Sequence, residues 1–255
     1  MPLLGIGTWQ MHGAEAERAV EEALNVGYRL IDTAAIYENE KDVGAALRAS
    51  GVPRHDVFVT TKLWNEDHGD PEAALAASLR RLGLAYVDLY LMHWPVPQRN
   101  ATWKILEDLC EAGLCRSIGV SNFTSRHLRE LFAVATKKPA VNQVEFTPFL
   151  YQRELLGFCE ERGIALEAYS PLTHGELLGD KSLHGVAKNY GKSPAQMLLR
   201  WALQHNVVVI PKAAKPEHVR ENAQIFDFSL QKEDMQSLDR LDRGFRICWD
   251  PTTMP

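Results

Sequence analysis

Residues 57–93 read VFVTTKLWNEDHGDPEAALAASLRRLGLAYVDLYLMH. The stretch opens with a β-rich apolar run, Val57–Leu63, and closes with another, Val87–His93, each too short for a helix. Between them Pro71–Leu82 carries helical periodicity. It is entered through Asp70-Pro71, where a capping carboxylate precedes a proline whose missing N–H costs nothing at the first helical position. Strand, capped helix, strand is the unit of a parallel sheet covered by helices.

The same unit repeats in both directions. Further short runs fall at Leu3–Trp9, Arg29–Ala34, Ser117–Asn122, Val141–Phe146, Ala165–Pro171 and Val207–Lys212, making about eight candidate strands. Helical patterns lie between them: Ala14–Val26, Asn39–Ser50, Thr102–Ala112, Ser125–Thr136, Arg153–Arg162, Leu183–Asn189 with Pro194–His205, and Pro216–Phe226. Ser193-Pro194 repeats the entry signal, and Gly27, Gly51, Gly113 and Gly163 follow periodic runs where a left-handed residue ends a helix. Strict alternation, with strands apolar on both faces, predicts a single α/β domain over residues 1–255, a (β/α)8 TIM barrel. An open doubly wound sheet is the alternative. Lys232–Arg243 reads as one extra helix before a short tail.

Composition agrees with one globular domain: of 255 residues, 45% are hydrophobic and 24% charged. The net charge of -5, with Lys and Arg scattered, argues against nucleic acid as a partner. Cys110, Cys115, Cys159 and Cys248 form no CxxC pair, so reduced thiols and no metal site are expected. The opening MPLLGIGTWQ lacks the basic start and apolar run of a secretion signal, and no run of about 18 apolar residues occurs, so a cytoplasmic protein with no membrane partner is expected. The sequence carries no oligomer signal, neither a heptad nor an apolar patch.

Three consecutive strands end in a polar residue at the same relative place: Asp32 after Arg29-Leu30-Ile31, Lys62 after Val57–Thr61, and His93 after Leu89–Met92. Taken singly, Asp32 could cap a loop, Lys62 could be solvated and His93 could be a core histidine. In a barrel all three meet at the rim where catalytic groups sit. A buried ion pair is a poor structural device, so their convergence points to chemistry. Tyr37 follows Asp32 by five residues, close enough to return over the same rim. A phenol, with a reference pKa near 10, donates a proton readily only when a cation steadies the phenolate. Lys62 can supply that cation, Asp32 can hold Lys62, and His93 can hydrogen-bond a carbonyl oxygen. Such a group is suited to protonating an oxyanion as a hydride reaches the carbonyl carbon. With no nucleophile or metal of its own, it needs a cofactor as hydride source.

These residues in this order resemble the aldo-keto reductase superfamily, compact microbial type. The resemblance rests on GIGTWQ, RLIDTAAIYENE, TTKLWNED, DLYLMHWP, RSIGVSNF, VNQVEF, AYSPL, IPKAA and Glu221-Asn222, and spans Leu3 to Pro255. It implies a monomer, with Tyr37 as proton donor and Asp32, Lys62 and His93 as its partners. It implies nicotinamide contacts from Ser121, Asn122 and Gln143, with Tyr169 stacked on the ring. Ser170 and Leu172 fall at the pyrophosphate, Thr8 and Trp9 at the cofactor near the reacting carbon, and Trp9, Trp64, Trp94 and Trp249 around the substrate. Read without the resemblance, Ser121-Asn122 could be a helix cap, Gln143 a core amide and the tryptophans packing.

Cofactor choice is where this chain departs from the family. The phosphate segment usually reads IPKS or IPKT with an arginine six residues after the lysine, whereas Ile210-Pro211-Lys212-Ala213 is followed by His218. Lys212 still offers a charge, Glu221 and Asn222 remain for the adenine, and a helix start adds N–H groups. NADP(H) is therefore expected, with NAD(H) accepted more readily than usual and 2′-phosphate affinity falling as pH rises, because an imidazole replaces a permanently charged group. Lys215 and Arg220 lie close by in the sequence, which leaves their direction on the helix open.

The chain reaches its first strand without the family's hairpin, so an open barrel floor is expected. The tail GFRICWDPTTMP is similar to that of the diketogluconate reductase group. The implied substrates are small carbonyls: 2,5-diketo-D-gluconate, methylglyoxal-like dicarbonyls, keto-sugars and aromatic aldehydes. Two other readings are a Schiff-base aldolase using Lys62 and a non-catalytic, nucleotide-responsive redox sensor.

Overall fold

The computed structural model describes residues 1–255, and its eight strands pair in the order in which they occur along the chain, every neighbour parallel. They are β1 (Ile6–Gly7), β2 (Leu30–Asp32), β3 (Phe58–Leu63), β4 (Val87–Met92), β5 (Cys115–Ser121), β6 (Val141–Glu145), β7 (Ala165–Tyr169) and β8 (Val208–Val209). The helices are α1 (Gly13–Asn25), α2 (Glu40–Ala49), α3 (Pro71–Leu82), α4 (Arg99–Glu111), α5 (Ser125–Phe132), α6 (Arg153–Glu160), α7 (Lys181–Tyr190), α8 (Pro194–Gln204), α9 (Pro216–Ala223) and α10 (Lys232–Asp239).

The sheet closes on itself. Parallel bridges join Leu4 to Val209 and Gly7 to Lys212, and the Gly5 N–H donates to the Val209 carbonyl at 2.9 Å. Closure removes both edges, so the fold is the (β/α)8 barrel and not the open doubly wound sheet. Gly7 is needed at the seam, since a Cβ there would sit 2.8 Å from the Ile210 carbonyl oxygen.

Strand alternation sorts residues into two sets. One set faces the helices in a cluster of 57 buried residues, including Ile6, Ile31, Val59, Tyr90, Val120 and Val209. The other fills the barrel. Phe58 packs against Leu30, Val208 and Ile210 on one side and Leu89, Leu91 and Val141 on the other. Two residues further along the same strand faces come Asp32, Thr60, His93 and Gln143, and two beyond Thr60 comes Lys62, so the barrel lining turns polar towards the strands' C-terminal ends. At the other end Leu3 is exposed and Phe58 half-buried.

The end signals act as read. Asp70 caps α3 by accepting from the Ala73 N–H at 3.0 Å, and Ser193 forms a reciprocal capping box with Gln196 at the start of α8. Gly27, Gly51, Gly113 and Gly163 are all left-handed. Several boundaries differ from the sequence reading. The first and last strands shrink to two residues each, because Pro211 has no N–H for the ladder and closure is made by single bridges. Helix α4 begins at Arg99 rather than Thr102, shortening the loop after His93. Helix α5 stops at Phe132 and α10 at Asp239, four residues short of the expected ends at Thr136 and Arg243. No helix is long and apolar enough to cross a membrane.

Candidate active site

Parallel register brings β2, β3 and β4 side by side, Asp32 opposite Thr60 and Lys62 opposite Leu91, so the residues closing these strands meet at one rim. Lys62 is fully buried. Its Nζ donates to Asp32 Oδ1 at 2.6 Å and to the Thr33 carbonyl at 2.9 Å, and lies 3.4 Å from Tyr37 Oη. The Tyr37 ring meets the His93 ring edge-on, centroids 5.7 Å apart, and Trp64 packs edge-on against His93 from the other side at 5.3 Å. The three strand-end residues and Tyr37 from the loop therefore lie in one contiguous group.

Burial works to lower the Lys62 pKa, but Asp32 and Tyr37 outweigh it and the ammonium is held charged. Burial raises the Asp32 carboxyl, opposed by Lys62 and by a hydrogen bond from Gln143. His93 is pushed well below its ordinary value, by burial first and by Lys62 second, so its imidazole is neutral. For Tyr37 the sequence reading gave the larger weight to the cation. Burial wins instead and the phenol shifts upward against the pull of Lys62. The phenol keeps its proton, which is the state a donor must start from.

The loop carrying Tyr37 is fixed by Asn39, whose Nδ2 donates to the Thr8 and Met11 carbonyls at 2.7 and 2.9 Å while its Oδ1 accepts from Thr33 Oγ1 at 2.7 Å. Thr8 itself is buried and its hydroxyl donates to the Asp32 carbonyl at 3.0 Å. That bond steadies the Asp32 main chain.

Beside the tetrad lie the residues assigned to the nicotinamide. Tyr169 Oη donates to Asn122 Oδ1 at 2.8 Å, Asn122 Nδ2 donates to the His93 carbonyl at 3.0 Å, and Ser121 Oγ donates to the Gln143 carbonyl at 2.9 Å. Asn122 adopts a left-handed backbone, a conformation asparagine tolerates better than most residues. Gln143 Nε2 contacts Asp32 Oδ2 at 2.8 Å and Glu167 Oε2 at 2.7 Å. Ser170 Oγ lies 2.9 Å from His174 Nε2 and 3.6 Å from Cys248 Sγ.

The tail crosses near this rim. Glu145, buried at the end of β6, accepts from the main-chain N–H groups of Ile247 and Cys248 at 2.7 and 3.1 Å. Trp249, in that segment, is 72% exposed and inclines against Trp94, centroids 5.9 Å apart, with Trp94 itself buried. Trp9 packs on His174 at 5.3 Å. Of the four tryptophans assigned to the substrate, Trp94 thus lies largely covered and Trp249 mostly open.

Leu172, Lys212, His218, Glu221 and Asn222 come together around a cleft of about 190 Å³, closed on the far side by Leu178 and by Ser193-Pro194-Ala195 at the start of α8. Asn222 is buried, and its Nδ2 has no partner in the protein. Lys215 and Arg220 do not line this cleft, and Arg220 is turned away to Glu22 at 2.7 Å. Sequence reasoning missed Glu145, Glu167, Asn39, His174 and Cys248. For the two glutamates the signal was present: each is an acidic residue at an inward position of a strand whose outer face is covered by helices.

The sequence profile of the Aldo/keto reductase family matches residues 3–243. The chain belongs to the aldo/keto reductase family. Its relatives include a glyoxal reductase of Bacillus subtilis, 50% identical over 98% of this chain and 92% of that protein. Another is a methylglyoxal reductase of Yersinia pestis, 47% identical over 98% and 92%. A solved aldo-keto reductase complexed with NADPH superposes with a TM-score of 0.92 at 35% identity, covering 98% of this chain and 86% of that one. Family membership makes the chain an oxidoreductase that works with a nicotinamide cofactor.

Proposed function

We propose that this reductase converts small aldehydes and vicinal dicarbonyls to alcohols with NADP(H), and that Tyr37 delivers the proton. The observation that carries the reading is the buried chain Asp32–Lys62–Tyr37 beside a neutral His93. Lys62 stabilises negative charge on Tyr37 Oη as the proton leaves, Asp32 keeps Lys62 charged, and His93 can donate to a carbonyl oxygen without competing as an acid. The names of the glyoxal and methylglyoxal reductases support dicarbonyls as the substrate class.

The residues present suit the cofactor. The unpartnered Asn222 amide with Glu221 suits an adenine, and Lys212 with His218 suits a 2′-phosphate. Ser170 and Leu172 would hold the pyrophosphate, and Ser121, Asn122, Gln143 and Tyr169 the nicotinamide. When bound, the reduced nicotinamide supplies the hydride. His218 in place of arginine supports a weaker preference for NADP(H) over NAD(H).

A Schiff-base aldolase is disfavoured, because Lys62 is buried, ion-paired and held charged, whereas an imine-forming lysine must be free as the amine. The non-catalytic sensor gains nothing from so complete a proton-delivery group. Turnover of glyoxal, methylglyoxal, 4-nitrobenzaldehyde and 2,5-diketo-D-gluconate with NADPH and with NADH tests the proposal directly. Tyr37→Phe should lower kcat by about a hundredfold or more with NADPH affinity intact. Near-normal turnover by that variant excludes Tyr37 as the donor.

A further inference from the structure

The polar layer of the barrel contains a second carboxyl that the tetrad does not use. Glu167 lies on β7 opposite Gln143 of β6, is fully buried, and touches no cation. One nitrogen, Gln143 Nε2, serves both acids: Asp32 Oδ2 at 2.8 Å and Glu167 Oε2 at 2.7 Å. Two acceptor oxygens at one end of an amide dictate which end is nitrogen, since the flipped amide would set oxygen against oxygen. Both N–H bonds of Gln143 are thereby spent. The hydrogen-bonding group it has left is Oε1, which can only accept.

We infer that Glu167 is a positioning residue for the cofactor: together with Asp32 it locks the Gln143 amide in the one orientation that offers an acceptor to a ligand N–H. The terminal torsion of a glutamine is broad and roughly two-fold, so a single anchor restrains it poorly and a second fixes it. Glu167 does this as a neutral acid. Its Oε1 is buried with no partner, a costly setting for an ionised oxygen but a tolerable one for the oxygen that bears the proton. Burial, followed by the neighbouring Asp32 charge, pushes the carboxyl up to about 8, in the same sense. Asp32 and Lys62 then cancel, and the layer gains a second anchor without a second net charge. This inference rests on the proposal that the site takes a nicotinamide, whose carboxamide NH₂ is the donor such an acceptor fits.

The test is NADPH affinity, read by quenching of tryptophan fluorescence on titration. Glu167→Leu removes the anchor and should weaken NADPH binding about tenfold, the order expected for one lost hydrogen bond. Glu167→Gln keeps an acceptor oxygen and should rescue most of that loss. In a Gln143→Leu background Glu167→Leu should cost nothing further, because both changes remove the same contact. Should Glu167→Leu fail to fold, Glu167→Met carries the same comparison. A parent protein that binds NADPH, with Glu167→Leu binding equally well or with the two changes adding independently, overturns this inference alone. A parent that binds no NADPH overturns the proposed function and this inference with it.

Discussion

Replacing Lys62 by methionine removes the cation from Tyr37 while keeping an unbranched side chain one atom shorter. The ammonium stands 3.4 Å from the phenol oxygen. In an effective dielectric of about 20, opposite charges at that separation attract by about 5 kcal/mol. A transition state with the proton about half transferred forfeits about half of this, about 2.5 kcal/mol, or roughly seventyfold in rate. Stability falls as well, because Asp32 loses its partner, and breaking one side of a buried pair costs about 3–5 kcal/mol. Changing Asp32 to asparagine in the same chain should recover part of the stability and none of the rate. The assay is kcat at saturating NADPH and methylglyoxal for the parent, Lys62→Met and the double variant, with urea midpoints measured alongside. A folded Lys62→Met protein whose kcat stays within about threefold of the parent refutes the role given to the ammonium.

His218→Arg puts a planar cation beside Lys212, and the ratio of kcat/KM for NADPH over NADH should rise about tenfold; an unchanged ratio means position 218 does not meet the 2′-phosphate. Glu167 titrates at about 8 in the folded chain against an ordinary 4.5, so the folded state keeps a proton that the unfolded chain releases between those values. Its contribution to stability is complete below about pH 4.5 and drains away as pH rises through about 8. Urea midpoints for Glu167→Gln should therefore gain on the parent from pH 5 to pH 9, and parallel curves would count against the buried proton. Ser193→Ala breaks the capping box of α8 and should cost about 1 kcal/mol in chemical denaturation. No loss there would show that tertiary packing alone fixes the helix start.

The tetrad was legible because parallel strands sandwiched by helices have no solvent face, so Asp32, Lys62 and His93 at the ends of apolar runs had to be at the rim. Glu145 and Glu167 were harder to see. In VNQVE polar residues fall on both faces, and in ALEAY a lone glutamate stands among apolar residues, so neither run has a period that says which face is inside; the coverage of the outer face by helices places the two glutamates there. Arg220 illustrates a different limit. One residue along a helix turns the side chain by about 100°, so nearness in sequence to Lys212 could not tell whether it met the cleft or Glu22. The upward shift of Tyr37 was missed because dehydration depends on everything packed around the ring, and no local motif encodes that.

Glu145 grips the tail through amide hydrogens of the main chain, at Ile247 and Cys248. Any amino acid other than proline presents that same handle. Those two bonds are therefore blind to the side chains at 247 and 248, while the Arg246 guanidinium, 3.9 Å from Glu145 Oε2, adds a charge at the same anchor; the exposed Trp249 can exchange its bulk and polarity while the main chain stays tethered where it is. That stretch is a part that mutation can refit without disturbing the barrel beneath.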